Sequence, residues 1–412
     1  MYRQPTQSTN AVSRLQGMND LSEDACRKKL SLQERLYQLL SGYGYQQLET
    51  PVLESTELFM RKSGGELASQ LYSFTDAGSN SVSLRPEFTS PIMRHYLENA
   101  ASIQLPARWQ YCGPVFRFDT SHPEASSQFT QVGGEFLGSS DISADVELLN
   151  LAMAVPTKLG LDGWSLKLAD LDVLDSLLDP VGISERARSF IIQSMPSLSQ
   201  GRSVVPRFLE EGRHLHLVGG SNGSNAAGET EDAALRQAVK GLNDDQARSV
   251  LLGLLQWNSA DQLGQRTPED VVERLLQKIK GTDNEDKLRQ GLELASDLAV
   301  IKGEPPQALE SVKKTLASAG ANQDAVDRLS QVIDQVFNET GTQGKISLDF
   351  GLVRGLAYYN GVIFEVSHSD WPGTLGGGGR YDTLSRALGG SEAVPALGFA
   401  YNLDALIAIG AS

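Results

Sequence analysis

GLVRGLAYYNGVIFEV, from Gly351 to Val366, and LGGGGRYDTLSRALGG, from Leu375 to Gly390, are the two stretches on which the reading of this chain turns. The first carries Arg354 and a tyrosine pair, Tyr358 and Tyr359. A guanidinium is a rigid fork of donors suited to a carboxylate or a phosphate. The second is glycine-rich, and such runs mark bulges or places where the backbone is closely approached. Just upstream, Gly341 and Gly344 flank a turn, and Ile346, Leu348 and Phe350 alternate as a strand leading into the first stretch.

Further towards the N-terminus stand GMND at Gly17, LRPEFT at Leu84 to Thr89, PVFRFD with Arg117, and QFTQVGGEFLG at Gln128 to Gly138. Gln131 and Glu135 are an even number of residues apart, which puts both on one face of an extended strand. A polar face on a core strand is costly unless something fills it. Carboxylates and amide oxygens accept from an ammonium, and a carboxylate accepts from a ring N–H.

Taken in order, RPE-x-T, VFR, Q-x-x-x-E, GLVRGL-x-YY and GGRYD resemble the catalytic core of histidyl-tRNA synthetase, over Leu84 to Asp382. The resemblance implies an α+β class II aminoacyl-tRNA synthetase fold, an antiparallel sheet flanked by helices, with a mostly helical insertion. It also implies a histidine site. Glu87, Thr89 and Gln131 would take the α-ammonium, while Glu135 and the hydroxyl of Tyr359, next to Tyr358, would face the imidazole. In an active synthetase the equivalent of Arg117 grips the α-phosphate of ATP, and that of Arg354 stands in for a metal at the same phosphate. Asp145 and Glu147 resemble the family's Asp-x-Glu, whose role is structural. Pro51 and the segment Ser22 to Ser41 match its dimer-forming first motif, which implies a homodimer.

The chain departs from the synthetase pattern at several places. Ala357 precedes the tyrosines where the family has Asp, and Ala405 stands where its third motif ends in an ATP-holding Arg. Between Arg117 and Lys158 there is no Lys or Arg, leaving His122 as the one side chain in TSHPEAS that can become cationic. No anticodon-binding domain is expected after Ser412. With these departures the chain resembles the regulatory subunits of ATP phosphoribosyltransferase, which act in histidine biosynthesis. That resemblance implies a non-catalytic, histidine-binding chain without charging chemistry, a homodimer within a hetero-oligomer. Its partner would be the catalytic subunit that joins ATP to phosphoribosyl pyrophosphate, it would transmit histidine feedback, and it would have no tRNA partner. Two other readings stay open: a truncated or stand-alone synthetase-like enzyme that activates histidine, and an interaction protein without a ligand.

The bulk properties set outer bounds. With 51 acidic and 36 basic side chains and a net charge of −15, the 412-residue chain is a poor general binder of phosphate backbones. It opens MYRQPTQSTNAV, without an apolar signal-like run, and has no uncharged apolar stretch approaching about 18 residues, so no membrane role and a cytoplasmic location are expected. Cys26 and Cys112 support neither a disulfide framework nor a zinc site, and His95, His214, His216 and His368 form no metal-ligand pattern, although His214 and His216 are two apart on a possible strand. No cofactor or metal is called for.

Along the chain the expected divisions are a first core part at 1–174, a helical insertion at 175–303 and a second core part at 304–412. Ser22 is a good N-cap for the first helix, and YQQLETPVLE, in which Pro51 cannot donate to a ladder, reads as a short β-prone segment at an edge or interface position. Strand-like runs follow at 70–75, 81–84, 108–118, 128–137 and 166–171. Gly219 to Asp232 has almost nothing to bury and reads as a flexible loop. Leu309, Val312 and Leu316, then Val326, Leu329, Val332, Ile333, Val336 and Phe337, mark two amphipathic helices.

Overall fold

The structure is a computed structural model that describes residues 12–61, 65–118, 126–218, 244–257, 272 and 283–411. The loop expected at Gly219 to Asp232 and the segment around His122 lie outside these residues.

Two units divide the chain: residues 1–173, 302–311 and 323–412 in one, and 174–301 with 312–322 in the other. The first unit is built on twelve strands: β1 (Gln46–Gln47), β2 (Leu53–Ser55), β3 (Ser73–Thr75), β4 (Ser81–Leu84), β5 (Ala107–Phe116), β6 (Gln128–Leu137), β7 (Trp164–Asp170), β8 (Lys302–Gly303), β9 (Ile346–Asp349), β10 (Val362–His368), β11 (Thr374–Arg380) and β12 (Ala396–Asn402). Nine form one sheet in the order β1-β5-β6-β12-β11-β10-β7-β9-β8, and β2-β4-β3 form a small second sheet. The six central strands of the large sheet run antiparallel throughout, as the class II fold requires. Parallel pairing is confined to β1 with β5 and β7 with β9, nearer the edges.

The first helix, Glu23–Gly42, starts where its sequence says it should. The Ser22 side chain accepts the Ala25 N–H at 3.3 Å, Glu23 and Asp24 sit at the positive end, and Leu32, Leu36 and Leu40 form the buried stripe. YQQLETPVLE takes edge positions, as its sequence implies, but divides between two sheets. Gln46–Gln47 pairs at the edge of the large sheet, Leu53–Ser55 belongs to the small sheet, and Pro51 is exposed between them. Arg85, from LRPEFT, pins this crossing by donating to the Thr50 carbonyl at 2.6 Å and to that of Pro114 at 3.0 Å.

One face of the large sheet is covered by the helix Ile142–Lys158, to whose Ala152 carbonyl the Tyr401 hydroxyl donates. On the other face Phe88, Ile92, Met93 and Tyr96, from the start and body of the helix Thr89–Asn99, pack against Trp109 and Tyr111 of β5. Phe88 stacks on Tyr111 with ring centroids 4.2 Å apart.

The second unit is helical. Its helices Glu185–Leu198, Val205–His214 and Glu285–Ala299 bury Ile191, Leu198, Phe208, Leu288, Leu292 and Leu298. His214 ends the second of these helices and His216 sits in the following turn, so the strand considered for this pair is not formed. Among the described residues no helix is long and apolar enough to cross a membrane.

Asp145, fully buried on the helix Ile142–Lys158, accepts from Arg380 at 2.8 and 3.0 Å and from Arg328 at 2.7 Å. Removing one member of a buried ion pair strands the other charge, at a cost of about 3–5 kcal/mol. Asp145→Ala is therefore expected to lower the unfolding free energy by about that amount in urea denaturation, whereas Asp24→Ala, on the exposed first turn, should leave it nearly unchanged.

Candidate functional site

Glu87, Thr89, Arg117, Gln131, Glu135, Arg354, Tyr358 and Tyr359, chosen from sequence, all line one cavity of the first unit, with about 310 Å³ of empty space, part of it open to solvent. The cavity floor is the large sheet. Gln131 and Glu135 share a face because β6 keeps an unbroken register with both neighbours: Gln131 lies opposite Gly113 and Asn402, and Glu135 opposite Trp109 and Gly398.

Glycine is what lets this face hold ionic side chains. A Cβ on Gly398 would fall 1.6 Å from Oε2 of Glu135, and one on Gly377 would fall 1.8 Å from Nη1 of Arg354. Their neighbours face the other way, where a Cβ on Gly376 would meet Tyr401 at 2.6 Å and one on Gly378 the Gly398 carbonyl at 2.1 Å. The glycine run is thus a site of close approach on both faces. The register shift of this strand pair lies elsewhere, between Val366 and Ser367.

Glu135 is 1 % exposed. Its Oε1 accepts from the Thr89 hydroxyl at 2.8 Å and the Tyr111 hydroxyl at 3.2 Å, and its Oε2 from the Tyr381 hydroxyl. Burial pushes its carboxyl up to about 8, against the opposing pull of those hydroxyl donors. Glu87 is also raised by burial, although the Ser90 N–H donates to both of its oxygens at 3.1 and 3.2 Å. Burial likewise keeps the Tyr358 and Tyr359 hydroxyls neutral by raising them. Thr89, assigned from sequence to the ammonium side with Glu87, is instead engaged by Glu135.

The same lining carries two guanidiniums. Arg117 donates through Nε to the Pro86 carbonyl at 2.9 Å, and burial lowers its guanidinium from the usual value. Arg354 donates through Nη1 to the Phe364 carbonyl at 3.1 Å and lies 3.7 Å from Glu365. Three buried polar atoms of the lining have no hydrogen-bond partner: Oε1 of Gln131, Nε of Arg354 and, beyond a loose approach to Thr89, the Tyr358 hydroxyl. Buried polar groups left unpaired are expensive, so these atoms call for polar partners in the cavity, from water or from a ligand.

Tyr111, Tyr381, Gly377 and Gly398 belong to the site and were not singled out from sequence. Tyr381 sits inside GGRYD, and Tyr111 lies opposite Gly133 in the β5–β6 register, a pairing that a single sequence does not reveal. Ala405 is buried in the first turn of the helix Leu403–Ala408, whose Ala405 N–H is capped by the Asn402 side chain at 3.1 Å, and it is not part of the cavity lining. Glu147 is held by Arg108 through two 2.8 Å bonds away from the cavity, and Asp145 by Arg380 and Arg328, the structural role expected for both. Among the described residues no group of His, Cys, Asp and Glu side chains is arranged to hold a metal ion.

The family model for histidyl-tRNA synthetase matches residues 17–201 and 255–406, well over half of the chain. The chain belongs to the histidyl-tRNA synthetase family. It is 27% identical over 391 residues to the histidine–tRNA ligase of Methanocaldococcus jannaschii, covering 95% of this chain and 74% of that protein. It is 28% identical to that of Sulfolobus acidocaldarius, covering 95% and 73%. Among solved structures it resembles an ATP phosphoribosyltransferase regulatory subunit/histidyl-tRNA synthetase from Bacillus halodurans, with TM-score 0.65, 20% identity, and 96% of this chain and 83% of that one covered. The histidyl-tRNA synthetase of Nostoc is similar at TM-score 0.60 and 16% identity, with 97% and 75% covered. At such identities the structural likeness speaks for the fold. The sequence relatives correct one expectation. The chain was read as non-catalytic, yet the curated proteins it matches along nearly its whole length are ligases, which points toward an enzyme. The same names remove the ground for excluding tRNA.

The raised carboxyl of Glu135 carries a sign that can be measured. Between an unfolded value of 4.5 and a folded value of about 8 the folded chain holds a proton that the unfolded chain has lost. This contribution is fully present below 4.5 and disappears as pH rises through about 8. In ligand-free protein the stability of wild type relative to Glu135→Gln is expected to fall steadily from pH 5 to pH 9, read by urea midpoints at each pH; a constant difference would contradict it.

Proposed function

We propose that this cavity binds free L-histidine, and that the chain is a histidine-recognising member of its family. The observation that carries the reading is that two carboxyls, Glu87 and Glu135, and two guanidiniums, Arg117 and Arg354, line the same cavity as the unpaired Oε1 of Gln131 and Nε of Arg354. A free amino acid brings an ammonium and a carboxylate together, and this lining offers partners for both. Glu87 and the Gln131 oxygen suit the ammonium, the Arg354 fork suits the carboxylate, and Glu135 suits a ring N–H.

Two uses of the bound histidine rest on different observations. Activation with ATP, as in histidine–tRNA ligases, is supported by the relatives over 95% of the chain and by the second guanidinium, Arg117, available for an α-phosphate. There the gain lies in holding phosphate and carboxylate in line and neutralising charge. A role as regulatory subunit of ATP phosphoribosyltransferase, with histidine as feedback signal and the catalytic subunit as partner, is supported by Ala405 in place of the ATP-holding arginine. In that role a homodimer formed through the Ser22 to Ser41 helix and Pro51, and a core interrupted by an insertion at 175–303, are part of the proposal.

Calorimetry with L-histidine tests the shared reading. Wild type should bind, and Glu135→Ala should weaken binding about ten- to a hundred-fold, the worth of a charge-assisted hydrogen bond of about 1.5–3 kcal/mol. No binding by wild type would end it. Histidine-dependent exchange of pyrophosphate into ATP then supports activation, whereas histidine-sensitive stimulation of a phosphoribosyltransferase catalytic subunit supports the regulatory role.

A further inference from the structure

Glu135 offers a ligand less than a free carboxylate would. An ionised carboxylate presents about four lone-pair positions. Three are taken here by side chains from three separate elements: Thr89 at the start of a helix and Tyr111 on β5 at Oε1, and Tyr381 just past β11 at Oε2. Oε2 itself sits where a Cβ on Gly398 would be, so only glycine at that position leaves the carboxyl in place. Thr89, Tyr111 and Tyr381 are all buried, so these donors do not trade places with water.

We infer that the hydroxyl cage of Thr89, Tyr111 and Tyr381 makes Glu135 a single-acceptor group, and that Tyr381 is a specificity-determining positioning residue that selects a lone ring N–H over multi-donor side chains. The inference rests on the histidine reading of the pocket and deepens it. An imidazole brings one N–H to the one open position on Oε2. An ammonium brings three donors and a guanidinium a two-pronged fork, and each would leave donors unpaired in a buried site, where the loss is largest. Discrimination of this kind is strong because the wrong ligand strands polar groups, rather than merely filling space less well.

The cage also sets how readily Glu135 ionises. The Tyr381 bond is the largest of the influences that lower its carboxyl, followed by Thr89, while Glu87 raises it and the bond from Tyr111 lowers it. Removing the Tyr381 hydroxyl therefore frees a lone pair and shifts the ionisation of Glu135 upward.

The test compares wild type, Tyr381→Phe and Tyr111→Phe by calorimetry with L-histidine and with L-ornithine, whose side chain ends in an ammonium, across pH 6 to 9. Wild type is expected to prefer histidine over ornithine by more than about a hundred-fold. Tyr381→Phe should narrow that preference by about ten-fold or more and move the pH profile of histidine binding upward, two changes that loosened packing alone would not produce together. Tyr111→Phe, which frees a position on Oε1 instead, should narrow the preference in the same direction and serves if Tyr381→Phe does not fold. Variants that lose affinity for both ligands equally, with an unmoved pH profile, would overturn the inference and leave the histidine reading intact. Wild type with no affinity for histidine would overturn both.

Discussion

Carrying a buried carboxylate on the inner face of an antiparallel sheet is the constraint around which the first unit is arranged. Desolvating Glu135 costs far more than any single contact returns, so several elements must converge on it with donors already in place. The helix Thr89–Asn99, strand β5 and the turn after β11 each deliver one hydroxyl, while β12 delivers a glycine where any side chain would collide. Shifting any one of these elements by a residue would put a side chain where the carboxylate sits or turn its donor to the other face.

That convergence explains why Arg380 and Tyr381, adjacent in sequence, serve opposite sides of the sheet. Successive residues of an extended strand point to opposite faces. Arg380 reaches back to the buried Asp145 of the helix Ile142–Lys158 and to the Ser139 carbonyl, while Tyr381 reaches forward to Glu135. An ion pair behind the sheet thereby anchors the strand that aims a hydroxyl in front of it. A buried pair of this kind adds little net stability, but breaking it is costly, so it holds the strand in register.

The four-glycine run reflects the same geometry. Gly377 gives room to Arg354 and Gly398 to Glu135 on the ligand side, while Gly376 and Gly378 admit Tyr401 and the neighbouring backbone on the other. Glycine in a strand interior is normally a weakness, for it gives up side-chain packing and costs backbone entropy. Here the loss is offset by a cavity whose lining brings carboxyls and guanidiniums together.

The sequence by itself determined the elements that depend on local chemistry and the residue types that form the cavity. Ser22 capping its helix, β6 over Gln128–Leu137 and the even spacing of Gln131 and Glu135 are all written in short stretches whose periodicity needs no partner. The eight candidate residues were legible because they sit in ordered motifs, and they meet in one cavity. Tertiary structure alone decided what each of them touches. The Thr89 hydroxyl donates to Glu135, YQQLETPVLE divides between two sheets at Pro51, and Tyr111 and Tyr381 enter the site. Each outcome is set by cross-strand register or by the packing of distant segments, and hydroxyls 24, 46 and 246 positions from Glu135 in the chain cannot announce in advance that they will reach its carboxyl; that is fixed only when the sheet closes around Glu135.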